Sequence, residues 1–367
     1  MHEIAELSKG TGISKEQLSE NGTPCILYGE LYTKYKSEII SKVISKTDIE
    51  ESKLKHSKQN DVIIPCSGET AIDIAVARCV PFDNVLLGGD LNVIRLHKYD
   101  GAFMAYQLNG KRKTDIAKLA QGVSVVHLYG ENLKSIKTYN PSLQEQQKIV
   151  KLLSMLDERL EVQNKIIEDL KKLKSAIIDK LYSSTNGEIY SFRQLFEVVN
   201  EKNKACAYKN VLSASQELGM IERSDINIDI KFEQESISGY KIVRKGDYVV
   251  HLRSFQGGFA FSDRTGICSP AYIILRPNDL VVYSYLSHYF TSKPFIKSLK
   301  LVTYGIRDGR SINVDEWLDM PILLPPAQEQ IRILTIVNAI DAKLHNEVKV
   351  QFCLSSQKSY LLNTMFI

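Results

Sequence analysis

The densest chemistry in the sequence lies in Tyr304-Gly305-Ile306-Arg307-Asp308-Gly309-Arg310, where flexible glycines surround two guanidiniums. A guanidinium presents its donors in a planar fork, so Arg307 and Arg310 suit paired hydrogen bonds to a guanine edge or a phosphate. Asp308 can instead pair with either of them as ordinary loop packing. Bond-making chemistry finds no comparable cluster. No GxxxxGK[ST] run is present to cradle phosphates, which excludes a motor of that type. Asn140-Pro141-Ser142 is the nearest approach to the Asn/Asp-Pro-Pro-Tyr-like turn of a methyltransferase, and it opens a helix. Glu51-Ser52-Lys53 and Asp341-Ala342-Lys343 supply the letters of a metal nuclease without converging carboxylates. His2, His56, His97, His127, His251, His288 and His345 show neither HxxxH nor HxH spacing. No catalytic residue, metal site or cofactor is expected.

The elements that would carry such loops emerge from composition and repetition. A length of 367 residues predicts two or three domains, and 44% hydrophobic with 25% charged residues is ordinary for a globular chain. Lys plus Arg number 47 against 43 Asp plus Glu, so the net +4 permits a local basic face but no polybasic tail. Cys25, Cys66, Cys79, Cys206, Cys268 and Cys353 form no CxxC pair, which fits reduced thiols. No leader pattern and no long apolar run is seen, and a cytoplasmic protein without a membrane partner is expected.

Pro141-Ser142-Leu143-Gln144-Glu145-Gln146 recurs 184 positions later as Pro325-Pro326-Ala327-Gln328-Glu329-Gln330. The same offset pairs Ile149 with Ile333, Asp157 with Asp341, Leu160 with Leu344 and Lys174-Ser175 with Lys358-Ser359. Alternating steps of four and three put Ile149, Leu153, Leu156, Leu160, Gln163, Ile167, Leu170, Lys174, Ile177 and Leu181 on one seam. The second seam is Ile333, Val337, Ile340, Leu344, Glu347, Gln351, Leu354, Lys358, Leu361 and Met365, with polar interruptions at equivalent places and at Gln351. Two helices of about 40 residues, roughly 60 Å each, are predicted. Shared seams with shared interruptions favour pairing with each other over burial on separate cores. With a domain between them, antiparallel closure is the simpler.

Outside the helices, short β-branched runs dominate, among them Asp61-Val62-Ile63-Ile64, Asn92-Val93-Ile94, Asp247-Tyr248-Val249-Val250 and Tyr272-Ile273-Ile274-Leu275. The predicted class is α+β: two mixed α/β domains separated by two long helices forming an antiparallel coiled coil, a pseudo-twofold tandem repeat. The boundaries are 1–140, 141–186, 187–324 and 325–367.

The helix-opening segment 141–150 with Leu156-Asp157, and Pro326-Ala327-Gln328-Glu329-Gln330, resemble the central and C-terminal repeats of type I restriction-modification specificity subunits. The first domain resembles one class of their target recognition domains. That likeness runs through Gly10-Thr11-Gly12-Ile13-Ser14-Lys15, 26–32, Pro65-Cys66-Ser67-Gly68-Glu69-Thr70, Gly88-Gly89-Asp90-Leu91-Asn92 and 121–128. In the second domain, Lys245-Gly246-Asp247-Tyr248 and Ser269-Pro270-Ala271-Tyr272 are similar to another class. One departure stands out. The second domain opens with 189–196 before Glu197-Val198-Val199, while the first begins almost directly at Glu3-Ile4-Ala5-Glu6, which reads as a shortened unit and leaves an N-terminal strand in doubt.

The resemblance implies a non-catalytic subunit. Each recognition domain would read half of a split target in double-stranded DNA. The helix pair would set the spacing and dock two methyltransferase (M) subunits, with restriction (R) subunits joining through them. DNA-binding candidates in the first domain are Lys15, Tyr28, Tyr32, Lys34, Tyr35, Ser67, Thr70, Lys111, Arg112 and Lys113, and in the second Arg253, Ser254, Gln256, Arg264, Tyr304, Arg307 and Arg310. The plain alternative is that the tyrosines are core and the basic run a solvated turn. Other functions left open are a stand-alone DNA-modifying enzyme and a coiled-coil scaffold with protein- or glycan-binding domains.

Overall fold

The computed structural model describes residues 1, 3–50, 54–215, 218–223, 234–251, 258–304 and 311–366. The chain forms two compact units, Met1–Lys165 with Val348–Ile367, and Ile166–Glu347.

In the first unit an antiparallel sheet runs in the order Ala5–Lys9, Leu91–Leu96, Asp61–Pro65, Arg78–Val80. Successive side chains of a strand point to opposite faces. Val62 and Ile64 therefore pack with Ile94, Met104 and Leu108, while Ile63 packs with Val93, Ile26 and Leu31 on the other side. Burial on both faces explains why these strands read as continuous apolar runs. The strand Ala5–Lys9 lies at the edge of this sheet, paired with Leu91–Leu96. Thr23–Ile26 belongs to a second sheet of five short strands, where it lies parallel to Leu86–Leu87.

The second unit repeats the first sheet's order with Phe196–Val199, Ile273–Pro277, Tyr248–Val250 and Phe259–Phe261, again antiparallel. Its core is aromatic: Phe192 stacks on Trp317 at 4.3 Å between ring centroids, and Phe259, Phe290 and Phe295 pack around them. The shared plan extends to a buried ion pair. Asp61 and Asp247 are 1% and 2% exposed, and each takes two hydrogen bonds from an arginine on the neighbouring strand, Arg95 (2.9 and 2.7 Å) and Arg276 (2.9 and 3.0 Å). Each aspartate also accepts from the backbone three residues back, Lys58 N–H and Arg244 N–H, both at 2.8 Å. The turn is closed by a left-handed residue, Asn60 (φ 78°) or Gly246 (φ 99°), the residue types that tolerate it. One difference remains. Glu188–Ser191 pairs with Pro321–Leu324 in the second unit, and among the described residues the first has no such ladder.

The long helices are Leu143–Ser183 and Ala327–Thr364. Every seam position named above is buried or half-buried, whereas Leu152, Met155, Val162 and Leu173 between them are exposed. Pairing is antiparallel inside each unit. In the first unit Asp157 meets Lys358 and Asn164 meets Gln351; in the second Lys174 meets Asp341 at 2.5 Å. In the first unit, seven residues forward from Asp157 are matched by seven back from Lys358. Three of the polar interruptions, Lys174, Gln351 and Lys358, thus bond to a polar residue of the other helix, and such groups fix register.

The Gln-Glu-Gln repeat has two jobs. Ser142 and Glu145 form a reciprocal capping box at the first helix start, with Ser142 N–H donating to Glu145 Oε2 at 3.1 Å. The second glutamine, Gln146 or Gln330, is fully buried. Gln146 Oε1 accepts from Asp100 N–H (2.9 Å) and its amide donates to Pro141 O (2.8 Å). Gln330 Oε1 accepts from Val282 N–H (2.8 Å) and its amide donates to Leu280 O and Pro325 O (2.9 Å each). Each glutamine ties its helix to the loop that follows the sheet. Among the described residues no helix is long and apolar enough to cross a membrane.

Candidate nucleic-acid interface

The five segments that carry the first domain's resemblance converge. Gly10 N–H donates to Leu91 O (2.9 Å), Thr11 N–H to Leu87 O (3.0 Å) and Gly88 N–H to Ile26 O (2.9 Å). Cys66 N–H donates to Asp90 O and Leu128 N–H to Cys66 O, both at 2.7 Å. Ser67–Gly68 pairs with Val126–His127. Backbone hydrogen bonds thus bind loops from distant parts of the chain into one layer at the strand ends.

On that layer Tyr28 and Tyr32 are half-buried. The Tyr32 hydroxyl lies over the backbone of Gly29 and Gly68, at 3.7 and 3.9 Å from where a Cβ would stand on each. Its pKa is raised by burial and by Tyr28, Glu69 and Asp73 nearby. Ser67 is buried and donates to Asp90 Oδ2 at 3.0 Å, which leaves a carboxylate able to accept from a cytosine amine. Thr70 is exposed and caps the short helix Ala71–Ile74 by accepting from Asp73 N–H at 3.2 Å. Lys15 is exposed at the start of the 3-10 turn Lys15–Gln17.

Five candidates lie elsewhere. Tyr35 is 6% exposed and packs in the core, where its hydroxyl accepts from Ile44 N–H (3.2 Å) and burial pushes its pKa up to about 12. It offers nothing to a ligand. Lys34 is exposed but pairs with the buried Glu30 at 2.7 Å. Lys111-Arg112-Lys113 follows the helix Gly101–Asn109 beside the last turn of the C-terminal helix, where a Cβ on Gly110 would come within 2.3 Å of Leu362 O. Arg112 approaches Asp115 at 3.8 Å.

In the second unit Arg264 is held by Asp263, donating through Nε at 2.8 Å and lowering that carboxyl's pKa. Tyr304 donates to Glu316 Oε2 at 2.6 Å, which raises its own pKa. Arg253, Ser254, Gln256, Arg307 and Arg310 lie outside the described residues.

Sequence reasoning passed over Lys9, Asp90, His127 and Tyr129. His127 stacks on Tyr129 with centroids 6.4 Å apart, and Lys9 Nζ stands 5.8 Å from the same ring. The alternation of the strand Ala5–Lys9 was the one signal that could have placed Lys9 near the strand end. Together these groups offer cations, hydroxyls, a carboxylate and aromatic faces, the set that binds phosphates and base edges.

The family model for the type I restriction modification DNA specificity domain matches this chain twice, over residues 1–172 and 187–351. The chain is similar in fold to the crystal structure of a type I restriction-modification system S subunit from M. genitalium. That likeness has a TM-score of 0.57 at 17% identity and covers 100% of this chain and 94% of the other. A chain from a structural study of complex assembly and conformational transition of the type I R-M system gives a TM-score of 0.61 at 14% identity, covering 98% and 95%. Two family matches on two units built to one plan lead to one conclusion: the chain belongs to the type I restriction-modification DNA specificity family and carries its domain in tandem.

Proposed function

We propose that this specificity subunit reads a split target in double-stranded DNA, one half with each recognition domain, without catalysis of its own. The helix pair sets the separation of the halves and docks two M subunits, through which R subunits join in the cytoplasm. The observation that carries this reading is the antiparallel helix register, supported in both units by repeat-related ion pairs. A fixed register makes separation a property of the chain. An open groove on the first unit's helices, where Met155, Val162 and Val350 are exposed beside Glu158 and Arg159, supports partner docking. The test is selection of bound duplexes from a random library by the chain assembled with M subunits. Two short motifs at one fixed separation are expected. One contiguous motif, or no enrichment, would sink the proposal. Affinity should fall steeply with added salt, because phosphate contacts release counterions.

A further inference from the structure

In the first unit a short hairpin projects from the candidate face. Gln121 and His127 exchange both backbone hydrogen bonds, at 2.9 and 2.7 Å. Gly122 has φ +121°, and a Cβ there would come within 2.1 Å of Val125 O, so the turn closes only on glycine. The root is braced by the Leu128 N–H bond to Cys66 O (2.7 Å) and by Asn92 Nδ2 donating to Leu128 O (2.9 Å). On this braced root Val123 is 97% exposed and Val125 51%. At the root His127 stacks on Tyr129, and the Lys9 ammonium stands over the same ring.

The second unit has a hairpin at the same point of its plan, Thr303–Tyr304 paired with Ser311–Ile312, just before the helix Val314–Leu318. The sequence it encloses carries Arg307 and Arg310. The sequence between the paired strands thus carries two arginines in the second unit and two valines in the first. Guanidiniums favour guanine, whereas an apolar side chain in the major groove finds one partner of its own kind, the 5-methyl group of thymine.

We propose that the hairpin 121–127 is a base-reading element in which Val123, with Val125 behind it, contacts a thymine methyl in the first domain's half-site. The inference rests on the chain being a DNA specificity subunit.

The experiment uses the full chain with M subunits on the duplex selected above. Each thymine of both half-sites is replaced in turn by deoxyuridine, which removes only the methyl. The wild type should lose about fourfold in affinity at one thymine of one half-site, the worth of one buried methyl group. Val123→Ser should bind thymine and deoxyuridine equally there while responding like wild type across the other half-site, which also reports that the variant is folded. A flat wild-type scan, a half-site without thymine, or a Val123→Ser scan identical to wild type overturns the valine contact alone. A wild-type complex that selects no duplex overturns the subunit reading along with it.

Discussion

Asp157 and Lys358 face each other across the helices of the first unit, and 184 residues along the repeat Asp341 and Lys174 face each other with the helices exchanged. The two pairs differ in surroundings. Lys358 also meets Glu38 at 2.5 Å, and Asp157 accepts from the hydroxyls of Tyr106 (2.7 Å) and Ser37 (3.0 Å).

That difference sets the first expectation. The side chains of Lys358, Glu38 and Asp157 are 12%, 7% and 10% exposed, against 26% and 35% for Lys174 and Asp341. Lys358→Met strands two covered carboxylates and should cost about 3 kcal/mol. Lys174→Met should cost about 1 kcal/mol or less, since water screens Asp341. Urea unfolding midpoints of the two variants compare them directly, and equal losses would contradict the ranking.

Gln330→Ala should destabilise the second unit by about 1 to 3 kcal/mol, because Val282 N–H, Leu280 O and Pro325 O lose a fully buried partner. Gln146→Ala should do the same to the first. Hydrogen exchange at Val282 and Asp100 gives a local readout: protection at each should fall only in the variant of its own unit.

His288 gives a pH dependence of known sign. Burial holds its imidazole below the usual value, Lys174 adds to this, and Asp341 and a hydrogen bond with Asn338 oppose it. The folded form therefore binds the proton more weakly than the unfolded chain. Stability should be full above the ordinary histidine value of about 6.5 and fall as pH drops below it, until the folded imidazole itself protonates. His288→Gln should flatten the slope between pH 7 and pH 5 by up to one proton. An unchanged slope would assign the dependence to other groups.

Lengthening both helices by one heptad, after Lys165 and before Val348, keeps the seam continuous. A rise of roughly 10 Å corresponds to about three base pairs of duplex. The selected motifs should stay the same and move apart by that amount. Motifs that change while their separation holds would argue against the helices as spacer.

The helices were legible because a heptad pattern depends only on neighbours along the chain, and the seam residues are those the structure covers. Lys174 and Lys358 were visible as interruptions, but their aspartate partners required the register. The same holds for Asp61 with Arg95 and Asp247 with Arg276, which meet only once adjacent strands are aligned. Tyr32 and Tyr35 show the limit of residue type. The helix Glu30–Thr33 ends between them, so one hydroxyl reaches the loop layer while the other turns into the core. Lys9 and Tyr129 are joined through the sheet order, which no local pattern encodes.

The charges on the long helices also decide which way the chain can close. Laid parallel with the repeats aligned, Asp157 would oppose Asp341 and Lys174 would oppose Lys358, setting like against like at both places. Only head-to-tail packing turns two repulsions into two attractions, so the repeat itself carries the instruction for its own orientation.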